Sequence, residues 1–155
     1  MKLTLEKADE SRLADCRKVF LASEIYDRYF KGEDRLERSL RTAAEKGELY
    51  LATAEDGRTV AGAMRVVMRG FCGLYPYLSL IGVKKDFRGE RVGSFLMDRL
   101  EEMSRKSGAK RVTLMVSDFN TGAQAFYRGR GYRLLGTLPD AVKPGIDELI
   151  LMKNL

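Results

Sequence analysis

Residues 78–116 constrain this chain most. Leu78 to Val83 is nearly all apolar and reads as a central strand covered on both faces. A glycine-bearing turn follows, Arg88-Gly89-Glu90-Arg91-Val92-Gly93. Beyond it Val92, Phe95, Leu96, Leu100 and Met103 recur at helical spacing as far as Lys106, with Asp98, Arg99, Glu101, Glu102 and Arg105 on the outer side. Gly108 ends the helix, and Lys110 to Val116 alternates as a strand through Val112, Leu114 and Val116. Strand, helix and strand in this order require a right-handed crossover between parallel strands. The turn inside the crossover suits a phosphate. A helix start leaves backbone N–H groups without partners and carries partial positive charge. Gly89 and Gly93 let backbone approach a ligand closely, and Lys84, Lys85, Arg88 and Arg91 surround them with cations.

The remaining segments fill out the same architecture. Lys2 to Glu6 alternates as a strand, Asp9 or Ser11 can cap the next helix, and Leu13, Cys16, Phe20 and Leu21 form its apolar stripe. Residues 24–30 mix aromatics with charge. A second helix is expected from about Glu33 to Lys46, closed by Gly47. Glu48–Ala54 and Thr59–Met68 pair across Glu55-Asp56-Gly57-Arg58 as a hairpin. Arg69 to Pro76 is a connection, with residues 74–77 already extended in one reading. Asn120 caps a short helix through Arg130, and Tyr132–Leu138 and Ile146–Met152 are the last strands, joined by a turn-like loop. The sum is a mixed α/β (α+β) fold in three layers: a single mixed seven-stranded sheet with helices on both faces, in one domain over residues 1–155.

Composition narrows the chemistry. The 155 residues contain no histidine, which removes the commonest general base, the commonest zinc ligand and every Ser-His or Cys-His pair. No metal site is expected. Cys16 and Cys72 match no metal or redox spacing and read as reduced thiols of a cytoplasmic protein. No apolar run approaches the roughly 20 residues of a membrane span, and no signal peptide is visible before the first strand. The net charge of +6 fits an anionic partner without choosing one. The basic residues are interleaved with acids, so neither nucleic acid nor membrane is expected as a partner.

A second motif lies about thirty residues beyond the turn: Asn120, Ala123, Tyr127, Gly131 and Tyr132, in the pattern Asn-x-x-Ala-x-x-x-Tyr-x-x-x-Gly-Tyr. Together with Arg88, Arg91 and Gly93, read as Arg-x-x-Arg-x-Gly, it resembles the GNAT superfamily of acyl-CoA-dependent N-acetyltransferases. The order of elements agrees over the whole chain. Arg91 departs from the family pattern, which has glycine there.

The resemblance implies a GNAT-like acyl-CoA N-acyltransferase fold and a cosubstrate, acetyl-CoA. Its pyrophosphate is expected on the backbone of Arg88, Gly89, Glu90, Arg91, Val92, Gly93 and Ser94, and its pantetheine arm along Ile81, Gly82 and Val83. Gly82 is expected where the strand bulges or parts to admit that arm. Asn120 is implied against the pantetheine or its thioester side, Ala123 as a further cofactor-binding residue, and Tyr127 near the sulfur as the group that stabilises or protonates the leaving thiolate. Family members form the acceptor pocket from the early helices and strand edges, which here points to Glu24, Tyr26, Tyr75 and Tyr77. Tyr29 and Phe30 lie in the same stretch. No general base stands out. Glu24, Asp27, Asp147 and Glu148 are candidates, the last two read as strand-end surface groups, and water relayed through backbone carbonyls is an equal alternative. The implied reaction moves an acetyl group to a primary amine by direct attack in a ternary complex, with a small-molecule or protein amine as acceptor and room for a homodimer. A non-catalytic acyl-CoA-binding regulatory module on the same fold is the alternative.

Overall fold

The computed structural model describes residues 1–32 and 34–155. Seven strands are described: β1 (Leu3–Lys7), β2 (Leu49–Ala54), β3 (Val60–Phe71), β4 (Tyr75–Val83), β5 (Arg111–Ser117), β6 (Arg133–Lys143) and β7 (Ile146–Asn154). The α-helices are α1 (Leu13–Phe20), α2 (Arg35–Glu45), α3 (Val92–Lys106) and α4 (Thr121–Gly129). The strands form one sheet in the order β1-β2-β3-β4-β5-β7-β6. Pairing is antiparallel for β1/β2, β2/β3, β5/β7 and β6/β7. It is parallel for β4/β5, through Tyr77↔Thr113 and Leu78↔Leu114. The expected mixed seven-stranded sheet and its parallel crossover are therefore present.

Several boundaries differ from the sequence reading for local reasons. The connection expected over Arg69–Pro76 is a tight turn: Cys72 (φ 54°) and Gly73 (φ 70°) are both left-handed, and Leu74 N–H donates to Phe71 C=O at 2.9 Å. Two consecutive positive φ values match the twist of paired strands, so β3 and β4 extend right up to the turn. A Cys-Gly pair does not announce that turn as Asn-Gly would. Residues 24–30 include a π-helical turn, Tyr26–Phe30. The expected start of the second helix at Glu33 lies outside the described residues, and α2 runs from Arg35. Strand β6 continues past Leu138, with register shifts after Leu134 and Leu138.

The chain divides into two compact units, Met1–Val66 with Leu80–Leu100, and Val67–Ser79 with Glu101–Leu155. In the first unit, Cys16, Val19 and Phe20 of α1 and Leu36, Leu40 and Ala43 of α2 are buried with Leu49, Leu51 and Ala63 of the sheet. Gly62, the neighbour of Ala63, points to the other face, where Val92 and Leu96 of α3 lie. Alternation along β3 thus puts α1 and α2 on one face and the start of α3 on the other. In the second unit, Val112, Leu114, Val116 and Leu151 are buried. Lys153, on the same face as Leu151, reaches Glu101 of α3.

Gly82 has a packing role in this arrangement. A Cβ there would stand 2.5 Å from Cε1 of Phe20 and 3.2 Å from Cγ1 of Val19. Both side chains are buried, so neither can swing aside. Gly82→Ala is expected to cost about 1–3 kcal/mol through overpacking, read as a lower urea midpoint with unchanged slope.

Candidate functional site

In the first unit, β4 ends at Val83 and the chain enters a short 3-10 turn at Lys85–Phe87. Lys84 N–H donates to Ala61 C=O at 2.8 Å, tying the exit of β4 to β3. The turn then closes on itself, through Arg88 N–H to Lys85 C=O at 3.3 Å and Glu90 N–H to Phe87 C=O at 3.2 Å. Gly89 (φ 84°) and Arg91 (φ 61°) are both left-handed. Arg91 thus adopts the backbone conformation that glycine, the family residue at this position, adopts freely. Helix α3 begins at Val92, and Phe95 N–H donates to Arg91 C=O at 3.0 Å. The first-turn amides of Val92, Gly93 and Ser94 precede any intrahelical acceptor.

Side chains secure this turn from both ends. Val92 is buried, and its Cγ1 would stand only 2.8 Å from a Cβ on Gly62, so bare backbone on β3 lets α3 settle close. Arg88 donates from Nη2 to the Ala22 carbonyl at 2.6 Å. It anchors the turn to the chain just after α1, which makes its side chain a structural tether. Gly89 faces open space within 4 Å. The arrangement fits an anion held by backbone amides at a helix N-terminus, as the pyrophosphate expectation requires.

In the second unit, Asn120 caps α4: its side-chain oxygen accepts from Ala123 N–H at 3.2 Å. Gln124 Nε2 donates to the carbonyls of Ser117 and Asp118, both at 3.1 Å, fastening the helix start to the end of β5. One turn on, Tyr127 is 5% exposed and stands edge-on to Phe126 and Tyr132, with ring centroids 5.4 and 5.8 Å away. Burial pushes its phenol well above the usual tyrosine range. The hydroxyl therefore stays protonated at any working pH and is available as a donor.

The acceptor candidates separate. Glu24 is exposed and pairs with Arg28 at 3.0 Å. Tyr26 and Phe30 pack against the α1–α2 core. Tyr75 accepts from Arg111 Nη1 at 3.1 Å, with that guanidinium 5.6 Å from its ring centroid. Tyr77 is half-buried, and burial, with the charge of Glu148 adding to it, pushes its phenol upward. Ile81–Val83, residues 88–94, Glu24 and Tyr26 fall in the first unit. Tyr75, Tyr77, Asn120, Ala123 and Tyr127 fall in the second.

Two carboxylates depart from expectation. Glu148, read as a strand-end surface group, is 6% exposed and accepts from Ser117 Oγ at 3.1 Å. Glu101, read as an outer helix residue, is 3% exposed and is clasped by Arg130 Nη2 at 2.7 Å and by Lys153 Nζ. The side-chain period alone could not reveal either, because their partners come from distant strands and from the α4 terminus. Among the described residues, no group of three or more His, Cys, Asp or Glu is placed to hold a metal, and no helix is long and apolar enough to cross a membrane.

The sequence matches the Acetyltransferase (GNAT) family over residues 13–132, and the chain belongs to that family. It is similar to the uncharacterized protein YxbD of Bacillus subtilis (strain 168), 31% identical over 93 residues, covering 49% of this chain and 58% of that protein. This chain thus spans little more than half of that relative. A GNAT-family acetyltransferase structure from Bacillus cereus ATCC 10987 superposes with TM-score 0.77 at 16% identity, covering 99% of this chain and 98% of the other. The PaiA N-acetyltransferase of Thermoplasma acidophilum, solved in complex with coenzyme A, superposes with TM-score 0.75 at 17% identity over the full length of both chains, 100% each. At these identities the likeness shows the fold.

The left-handed Arg91 carries its own test. Its conformation costs about 1–2 kcal/mol relative to glycine, partly offset because glycine frees the unfolded chain by roughly 0.4–1 kcal/mol. Arg91→Gly is therefore expected to leave stability equal or raise it by up to about 1.6 kcal/mol. Arg91→Val, β-branched, is expected to lower it by about 1–3 kcal/mol. Urea unfolding of both variants beside the parent chain checks the sign.

Proposed function

We propose that this chain is an acetyl-CoA-dependent N-acetyltransferase that transfers the acetyl group to a primary amine by direct attack in a ternary complex. Family membership supports acetyl transfer as the reaction class. The observation that carries the reading to this chain's own residues is the turn at 88–94. Two left-handed residues there, Gly89 and Arg91, bring the chain into α3 with its first amides ahead of any intrahelical partner.

In this reading those amides hold the pyrophosphate, and the backbone of Ile81–Val83 receives the pantetheine arm as an added strand would. Asn120 contacts the pantetheine or its thioester side, and Ala123 lines the cofactor beside it. Tyr127 is the donor at the sulfur. As the amine nitrogen bonds to the acetyl carbon, the C–S bond breaks and negative charge gathers on sulfur. A phenol held above its usual range is a poor acid toward a thiol that titrates near 8.5. Tyr127 therefore acts mainly by hydrogen-bonding the departing thiolate as its charge develops. Direct transfer also suits the buried thiol: desolvation pushes Cys16 up to about 12, so it offers no thiolate for an acyl-enzyme. Residues 1–155 make one N-acetyltransferase domain in this reading, and the acceptor is a small-molecule or protein amine.

Saturating acetyl-CoA is expected to stabilise the fold by about 2.7 kcal/mol at 100 times its Kd, seen as a melting temperature several degrees higher. No shift would remove both the enzyme and the acyl-CoA-binding module as readings. Tyr127→Phe is expected to lower kcat by about 10²-fold while acetyl-CoA affinity stays within about threefold. Unchanged turnover would take Tyr127 out of the chemistry. Acetyl-CoA binding without acetylation of any amine in a broad panel would favour the non-catalytic module.

A further inference from the structure

Glu101 is a buried carboxylate that no step of the proposed transfer touches. Its two oxygens take separate cations. Oε2 accepts from Arg130 Nη2 at 2.7 Å, and Oε1 pairs with Lys153 Nζ. Each cation also lies over an aromatic ring. Arg130 Cζ stands 5.9 Å from the centroid of Phe126, and Lys153 Nζ stands 5.8 Å from that of Tyr132. Attraction between a cation and a ring face holds the ring in place, and it strengthens as water is excluded. The lysine stem passes over the turn that precedes Tyr132, where its Cε would stand 3.6 Å from a Cβ on Gly131.

These two rings are the ones that flank Tyr127. Phe126 and Tyr132 both meet it edge-on, at interplanar angles of 62° and 64°. The backbone closes around the same residue: Tyr127 C=O accepts from Arg130 N–H at 3.0 Å and from Tyr132 N–H at 3.1 Å. The Tyr132 hydroxyl is buried without a hydrogen-bond partner among the described residues, so this tyrosine contributes its ring. Glu101 thus gathers Arg130 from the end of α4 and Lys153 from β7, and through them it fixes the walls on which the Tyr127 phenol rests. Such support matters for a donor aimed at developing charge, because a misplacement of about 1 Å costs on the order of 10²-fold.

Resting on the acetyltransferase reading, we propose that Glu101 is a positioning residue for the transfer: by holding Arg130 and Lys153 it fixes the Phe126 and Tyr132 rings, and these aim the Tyr127 hydroxyl at the departing sulfur. Glu101 itself touches neither substrate. Negative charge gathers on sulfur only as the C–S bond breaks, so the aim of the hydroxyl bears on turnover and hardly on binding. The role also explains why one carboxylate is buried between two cations on this side of α4. Burying ions contributes little stability, but it strongly resists any shift that would leave one of them unpaired.

A double-mutant cycle tests the role, with Glu101→Gln made both in the parent chain and in a Tyr127→Phe background. In the parent, Glu101→Gln is expected to lower kcat about tenfold, with the amine KM and acetyl-CoA affinity within about twofold. In the Tyr127→Phe background no hydroxyl remains to be aimed, and the same change is expected to alter kcat by no more than about twofold. Nuclear magnetic resonance of ring-labelled tyrosines, without cosubstrate, gives a second readout. The Tyr127 resonance, assigned by its loss in Tyr127→Phe, is expected to move in Glu101→Gln while those of Tyr26 and Tyr50 stay. Unchanged kcat, an equal loss in both backgrounds, or a Tyr127 resonance that does not move overturns the role. If Glu101→Gln does not fold, Lys153→Met takes its place in the cycle, since it leaves Glu101 paired with Arg130. Its expected loss is about threefold in kcat, confined to the chain that keeps Tyr127, and parental kcat there overturns the role as well. A parent chain that acetylates no amine overturns the underlying reading and this role with it, a result that is distinct because it needs no variant.

Discussion

The contact of Val92 and Leu96 with the bare backbone of Gly62 sets the geometry that the first unit depends on. Without a side chain at residue 62, the start of α3 can sit directly on β3. That approach determines where the helix begins, and so where its first amides point. Arg88 and Lys84 then hold the approach to the helix, one through the Ala22 carbonyl and the other through Ala61. On the opposite face, Gly82 gives Phe20 of α1 the same close access. The sheet is thus thinned by glycine on both faces. Any side chain added at either position would move a helix, because packed interiors leave no spare volume.

The second unit depends on a different economy of forces. Glu101 is buried with two cationic partners, Arg130 from the end of α4 and Lys153 from β7. A buried ion cluster adds little net stability after desolvation, yet it penalises strongly any arrangement that leaves one member unpaired. The cluster therefore acts to define the register between α3, the α4 terminus and β7 more than to add stability. Tyr132, buried in the same neighbourhood, packs edge-on against Tyr127, so the ionic cluster and the aromatic pair restrain the same helix end.

Much of this was legible in the chain itself. The strand-turn-helix-strand pattern of residues 78–116 reports its own crossover, since helical and strand periods differ and parallel pairing admits essentially one hand. Asn120 announces the cap of α4 because a side-chain acceptor at that position answers an orphan amide. Other features were hidden for specific reasons. In the Cys72-Gly73 turn only Gly73 advertises a left-handed residue and Cys72 does not, so the hairpin between β3 and β4 read as a longer connection. Arg91 could be seen as a departure from the family pattern, but its left-handed backbone could not.

The sequence by itself determined the family, the order of strands and helices, and the two motifs at residues 88–93 and 120–132, because these are local patterns of spacing, capping and turn chemistry. Only the tertiary structure decided what the charged residues do. A carboxylate on a helix or a strand end looks the same in sequence whether it meets water or protein. Register and packing put Glu148 against Ser117 and Glu101 between Arg130 and Lys153. They also assigned Arg88 to tethering the turn and gave Gly82 its reason in the ring of Phe20. The physical cause is common to all four: these partners lie far apart along the chain, so they meet only after the sheet has fixed its pairing and the helices have settled on its faces.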